Sequence, residues 1–282
     1  MNPKLLIRLA FSAASILTAG LLASCAGVVP SSAPMASRQD VAGGSHAYAA
    51  KARSSSYAEA MPAAPPSPAD RPGLGTEAGH DHYSHLAEGR LIRKSSAPDA
   101  VDSFHYNDEK GAKAMANVLG GGLMKHSGLF DVAGGRLEAG LARYGRIYPH
   151  YEASGRRVVI GEAGEDYRVR LRNRSKKRVE VVLSVDGLNT LTGKAASPSQ
   201  HGYILEPGES YDVDGFRKNA STVSTFRFGR VADALASKKG GAANVGVIGL
   251  AVFEEDESRA KMELQREQFV RDHANAFPSE RR

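Results

Sequence analysis

DYRVRLRNRSKKRVEVVLSVDG, residues Asp166 to Gly187, alternates along two arms about a turn-like Asn173-Arg174-Ser175-Lys176. On the first arm Tyr167, Val169 and Leu171 share one face, and Arg168, Arg170 and Arg172 share the other. On the second, Val179, Val181, Leu183 and Val185 share a face, with Glu180, Val182 and Ser184 opposite. Side chains on a strand alternate between faces, so each arm buries an aliphatic face and keeps a mostly polar one outside. In a helix the three arginines would spread around the cylinder. The stretch is therefore expected to form a β-hairpin that seeds a sandwich core. Pairing Leu171 with Val181 and Val169 with Leu183 stacks aliphatic groups inside. It also sets Arg172 opposite Glu180, a cross-strand pair contributing roughly 0.2–1 kcal/mol. A slip of one residue would turn the arginines inward, so the alternation specifies the register.

Further strands are expected at 157–161, 202–205, 210–213, 223–228 and 245–253. The last is apolar on both sides, with Val245, Val247, Ala251 and Phe253 against Ile248, Leu250 and Val252, and so belongs in the middle of a sheet. The fold class is mainly β: an antiparallel β-sandwich of immunoglobulin-like size, about seven strands, with short flanking helices and a disordered N-terminal tether. There is no Trp and a single Cys, so the immunoglobulin disulfide and its Trp pin are absent. Upstream, Glu109 to Leu119 is expected to be a helix with Ala112, Met115, Ala116 and Leu119 on one side, ended by Gly120-Gly121-Gly122. Leu137, Leu141 and Tyr144 at helical spacing suggest a second helix over residues 136–144. Asp256 to Phe277 reads as a charged helix in which Glu267 and Arg271 stand four apart.

The 282 residues are 41% hydrophobic and 24% charged, a globular average that hides a split. Residues 25–100 are rich in Ala, Ser, Pro and Gly, as in Met61-Pro62-Ala63-Ala64-Pro65-Pro66-Ser67-Pro68, and have too few large apolar groups to offset the entropy of ordering. The expected organisation is a signal peptide at 1–24, a lipidated Cys and tether at 25–100, and a mixed helical and loop segment at 101–156. The sandwich follows at 157–255, and the charged helix at 256–282. A net charge of +6, evenly spread, argues against a nucleic-acid partner. The absence of Trp weakens a carbohydrate-platform reading, leaving only Tyr and Phe for such a role.

Lys4 and Arg8 precede an apolar run from Leu9 to Leu22, too short to span a bilayer but fitting a secretory signal. It ends in Leu22-Ala23-Ser24-Cys25, which resembles the lipobox of bacterial lipoproteins. That resemblance implies cleavage before Cys25, a diacylglyceryl group on its sulfur and an acylated amine. More than one acyl chain gives a lasting anchor, at about 0.8 kcal/mol per buried CH₂. Ala26 stands where an Asp would signal inner-membrane retention, so the resemblance implies the outer membrane of a two-membrane bacterium, facing the periplasm. Val185-Asp186-Gly187-Leu188-Asn189, Gly202-Tyr203-Ile204-Leu205, and Gly215-Phe216-Arg217 with Phe226-Arg227-Phe228 together resemble a run in uncharacterised exported bacterial proteins, with no activity to carry over.

Three features bear on chemistry. His80, His82 and His85, with Asp81 among them, supply imidazoles and a carboxylate suited to zinc, copper or nickel, in a stretch with no visible supporting shell. Arg168, Arg170 and Arg172 form either a solvated face or a docking surface for lipid head groups or an acidic partner. Asp186-Gly187 and Asp214-Gly215 read as turns, and Asp186, Asn189 and Asp214 are also candidate calcium ligands. No Gly-x-Ser-x-Gly or His-Glu-x-x-His motif occurs, and His105, His126, His150 and His201 are scattered singly. The expected function is a non-enzymatic, lipid-anchored envelope protein that requires no cofactor and meets an envelope protein or an anionic surface. The alternatives are a periplasmic zinc- or copper-binding lipoprotein using the three histidines, and a cryptic hydrolase.

Overall fold

A computed structural model describes residues 67–85, 89–118 and 124–276; the leader, Cys25 and most of the expected tether lie outside the described residues. The described chain opens with β1 (Leu74–Tyr83), β2 (Ala100–Asn107), α1 (Glu109–Val118), β3 (Met124–His126) and β4 (Phe130–Val132). It continues through β5 (Leu137–Arg143), β6 (Arg146–Ile147), β7 (His150–Ala153), β8 (Arg156–Ile160), β9 (Asp166–Asn173) and β10 (Val179–Val185). β11 (Leu188–Asn189), β12 (Tyr203–Leu205), β13 (Ser210–Val213), β14 (Gly215–Arg217) and β15 (Thr222–Arg230) come next. α2 (Leu235–Lys238), β16 (Val247–Glu254) and α3 (Glu257–Asp272) complete it.

The strands form two eight-stranded sheets. The first runs β1-β15-β9-β5-β4, with β13 on β9, β14 on β15 and β6 on β5. The second runs β11-β10-β16-β2-β8-β7-β3, with β12 on β10. One buried cluster lies between them, built from Leu141, Val169 and Leu171 of the first and Val181, Leu183, Ile248 and Leu250 of the second. The mainly β, sandwich-like class therefore holds, on a larger scale than expected. Among the described residues sixteen strands replace seven, and β2 and β8 pair in parallel. That parallel step uses a long crossover including α1, whose Ala112 and Ala116 pack on Tyr151, Val158 and Ile160.

The sandwich also starts earlier than residue 157. β1 lies within the expected tether, and β2 to β7 fall in the segment expected to be helix and loop. Many of these strands are two to four residues long, too short for alternation to show. The helix expected over 136–144 is β5: Leu137, Ala139 and Leu141 are fully buried while Tyr144 is 89% exposed. Residues four apart share a face in either conformation, so Leu137 and Leu141 alone do not discriminate.

The larger correction concerns the hairpin. Alternation in β9 is as expected: Tyr167, Val169 and Leu171 are buried, while Arg168 and Arg172 are exposed and Arg170 is half-buried. In β10 the face expected outside is buried too, with Val182 packed against Ala251 and Phe253 and Glu180 paired with Arg93 at 2.7 Å. Yet β9 and β10 do not pair. β9 pairs with β5, β13 and β15, whereas β10 pairs with β11, β12 and β16, so residues 174–178 carry the chain from one sheet to the other. The aliphatic faces meet across the core instead of lying side by side. Asn173, fully buried, pins this corner: its Nδ2 donates to the carbonyls of Lys177 (2.7 Å), Glu206 (3.0 Å) and Leu205 (3.1 Å). Its Oδ1 accepts from the Ser175 amide at 2.9 Å and hydroxyl at 2.7 Å. β16 lies between β10 and β2, the central place its two apolar faces demanded. α3 starts at an Asp256 cap that accepts from the Arg259 amide, and it buries no side chain.

Candidate functional site

The alternation that buries Val169 and Leu171 sends Arg168, Arg170 and Arg172 to the outer face of the first sheet. All three meet carboxylates there. Arg168 Nε lies 2.9 Å from Asp214 Oδ1. Arg170 donates from Nε and Nη2 to the two oxygens of Asp212, both at 2.7 Å, and this hydrogen-bonded carboxylate raises the guanidinium pKa. Arg172 lies 3.6 Å from Glu138, which also faces Arg174 at 3.7 Å. Asp212 is the cross-strand neighbour of Arg170, and Glu138 that of Arg172. The arginine face is thus a ladder of ion pairs closed within the sheet. The sequence does not show Asp212 and Glu138 as partners, because strands this far apart in the chain become neighbours only through the sheet order.

At the β1 end of this ladder lies a hollow of about 290 Å³. Four adjacent strands build it: β1 contributes His80 and His82, β15 Thr225, β9 Asp166 and Arg168, and β5 Arg143. Asp214 lies beside them where β13 gives way to β14. The expected turn at Asp214-Gly215 is in fact this junction, where the chain leaves β9 and joins β15. Gly215 is needed for the approach: a Cβ there would sit 2.0 Å from the Ser224 carbonyl oxygen.

Asp166 organises the hollow. Its Oδ1 accepts from Arg227 Nε at 2.7 Å, and its Oδ2 lies 3.0 Å from His80 Nδ1. With Nδ1 turned to the carboxylate, Nε2 of His80 is the nitrogen left for another partner. Thr225 Oγ1 is 3.3 Å from the same Nδ1. A hydrolytic triad sets nucleophile and carboxylate on opposite imidazole nitrogens; here hydroxyl and carboxylate share one.

The three histidines are not brought to one point. His80 and His82 line this hollow, whereas His85 lines another, of about 590 Å³, with His201, Tyr203 and Tyr211. Asp81 is held by Lys218 Nζ at 2.8 Å, a hydrogen bond that lowers its carboxyl pKa. Among the described residues no group of three His, Cys, Asp or Glu side chains is placed to hold a metal ion. The calcium trio does not gather either. Asn189 Oδ1 accepts from the amides of Leu191 (2.8 Å) and Thr192 (3.1 Å), and Asp214 is bound to Arg168.

Asp186 lies in the interior, 1% exposed. Its Oδ2 accepts from the Thr76 amide at 2.8 Å, and its Oδ1 from the Gly246 amide at 2.9 Å and the Tyr106 hydroxyl at 2.6 Å. Thr76 Oγ1 links Tyr106 (2.7 Å) to Tyr167 (2.5 Å), so hydroxyls donate in the order Tyr167, Thr76, Tyr106, Asp186. Burial pushes the Asp186 carboxyl up to about 6 and both phenols well above their usual range.

On the rim of the outer hollow stands Tyr144. Arg143 pairs with Arg146 across a two-residue turn, Tyr144 (φ 48°) and Gly145 (φ 80°). Two positive φ values define a type I′ turn, whose first position favours Asn, Asp or Gly. A tyrosine there costs on the order of 1 kcal/mol. Among the described residues little packs over it in return: the ring is 89% exposed, with the Arg143 guanidinium 5.0 Å from its centroid. Sequence reasoning placed Tyr144 on a helical stripe and missed this; the following Gly145 was the one available signal. No protein-family model matches the chain, and no curated protein or solved structure matches it either.

Proposed function

We propose that this chain is a non-enzymatic module of the bacterial envelope, anchored in the outer membrane by acyl chains on Cys25 and using its β domain to engage a partner. The lipobox-like Leu22-Ala23-Ser24-Cys25 supports the anchor. The observation that carries the interaction reading is the outer hollow, where Asp166 pairs with Arg227, Asp214 with Arg168 and Arg143 with Glu165, and Tyr144 is 89% exposed. Such a surface is preorganised for recognition, and its charges are held away from acid–base chemistry. Because the arginine ladder is internally paired, a specific partner at this hollow is favoured over docking on an anionic surface.

Two experiments test this. Cys25→Ser should move the protein from the membrane to the soluble periplasmic fraction. Affinity capture of the tagged, lipidated protein from envelope extracts should recover a partner that the double variant His82→Ala/Tyr144→Ala loses. Equal recovery by both proteins would remove the hollow from the interaction.

A second reading, a transition-metal site, has one observation in its favour. His80 and His82 share the hollow, and Asp166 meets His80 Nδ1 as outer-shell carboxylates meet metal-bound imidazoles. Calorimetric titration with zinc and copper decides it: no binding tighter than micromolar removes the metal.

A further inference from the structure

We propose that the hollow beside Tyr144 binds a neutral carbohydrate, with the Tyr144 ring as its stacking platform. The inference rests on reading this hollow as the interaction surface and adds the chemistry of the ligand.

The first observation is the ring itself. Among the described residues, three two-residue turns pair a positive-φ residue with a glycine: Tyr144-Gly145, Ser154-Gly155 and Asp186-Gly187. Ser154 and Asp186 are small and polar, as that backbone favours. Tyr144 is the exception, a bulky ring held in a strained turn and turned to solvent. Strain that packing among the described residues does not repay points to a role outside the fold. An exposed phenol offers a flat apolar face with a polar tip, the shape that stacks on the C–H face of a pyranose ring.

The second observation is the balance of charge. Arg143 and Arg168 line the hollow against Asp166 and Asp214, two cations facing two anions. A phosphate would meet the two carboxylates, and a cation would meet the two guanidiniums. A sugar hydroxyl donates and accepts at once, and so uses the remaining N–H groups of the arginines and the remaining lone pairs of the carboxylates. Thr225 and His82 add further groups of the same kind at the wall. Because each charged group is already held by a partner, little ordering is left for the binding event.

The third is size. A volume of about 290 Å³ lies at the small end of ligand sites and admits a sugar ring rather than a folded partner. The absence of Trp limits the platform to one phenol, so binding should be weak for each ring and gain from repeats in a longer glycan.

The test uses the full-length lipidated protein in detergent, titrated with chitobiose and maltose as neutral probes and with inorganic phosphate as the anionic control. Saturation-transfer NMR reads contact, and calorimetry reads affinity. The expected result is binding of at least one disaccharide in the millimolar range, with phosphate weaker. Tyr144→Asn should weaken saccharide binding roughly tenfold or more. The same substitution should raise the melting midpoint by about 2–4 °C, because Asn accepts the turn. Tyr144→Trp should bind at least as well as the wild type. Failure of both disaccharides to bind, tighter binding of phosphate, or full binding by Tyr144→Asn would each overturn the inference. If neither saccharide binds but envelope capture still depends on Tyr144, the carbohydrate is wrong and the interaction module stands. If capture is also indifferent to the hollow, both fall.

Discussion

Asp186 and Asp166 are carboxylates held in opposite ways. Asp186 lies between the sheets, 1% exposed, bonded to two amides and a phenol, with no ion pair among the described residues. Asp166 lies on the outer face, its side chain 29% exposed, between Arg227 and His80. Inside, neutral donors tie β1, β2, β10 and the residues before β16 together, and any donor left unpaired is costly because no water replaces the lost acceptor. Outside, charges are stronger as pairs but compete with solvent and salt. Stability therefore depends most on interior hydrogen bonds that carry little formal charge.

The sharpest way to break this contrast is Asp186→Ala. It strands the Thr76 and Gly246 amides and the Tyr106 hydroxyl, and should destabilise the protein by about 4 kcal/mol in urea denaturation. A loss under 1 kcal/mol would mean that the interior network is not the tie described here.

The pH dependence sharpens the same point. Because burial raises the folded carboxyl to about 6, above the unfolded value of about 4, its contribution is complete below about pH 4 and is lost as pH rises through 6. The difference is about 3 kcal/mol. Asp186→Asn does not titrate, so stability of the wild type relative to this variant should fall between pH 4 and 7. A constant difference across that range would place the carboxyl at an ordinary value.

Asn173→Ala is expected to cost about 2 kcal/mol, since three carbonyls and the Ser175 amide lose their partner at the corner between sheets. Hydrogen exchange should quicken at residues 174–178 before it does in β16. The smallest effect is outside. A double-mutant cycle on Arg170 and Asp212 should return roughly 0.5–1 kcal/mol, shrinking as salt is added. A coupling as large as the Asn173 effect would reverse the ranking of interior and surface.

Much of this was legible, for reasons specific to each element. Alternation in β9 and the two apolar faces of β16 showed because eight-residue strands leave a readable period. α1 showed through Ala112, Met115 and Ala116 at helical spacing. β1 did not show, because its second half is polar at a sheet edge and its pairing shifts between Ala78 and Asp81. Asp186 was readable as a turn residue, which it is, but not as the acceptor at the centre of the core. For the hollow, His80 and His82 were visible as a cluster, whereas Asp166, Thr225 and Asp214 join them only through strand order. Tyr144 was hidden by a spacing that a strand and a helix both satisfy at Leu137 and Leu141.

The chain by itself determined which side of β9 faces inward, because the backbone turns successive side chains to opposite faces whatever lies beside it. Only the tertiary structure decided which strands became neighbours. A hairpin and a crossover between sheets bury Val169, Leu171, Val181 and Leu183 equally well at the local level, and the choice fell to distant edges, β5, β13 and β15 against β16, that supply the backbone hydrogen bonds. That choice set Asp212 beside Arg170, drew Asp166 to His80, and left Tyr144 alone at the rim.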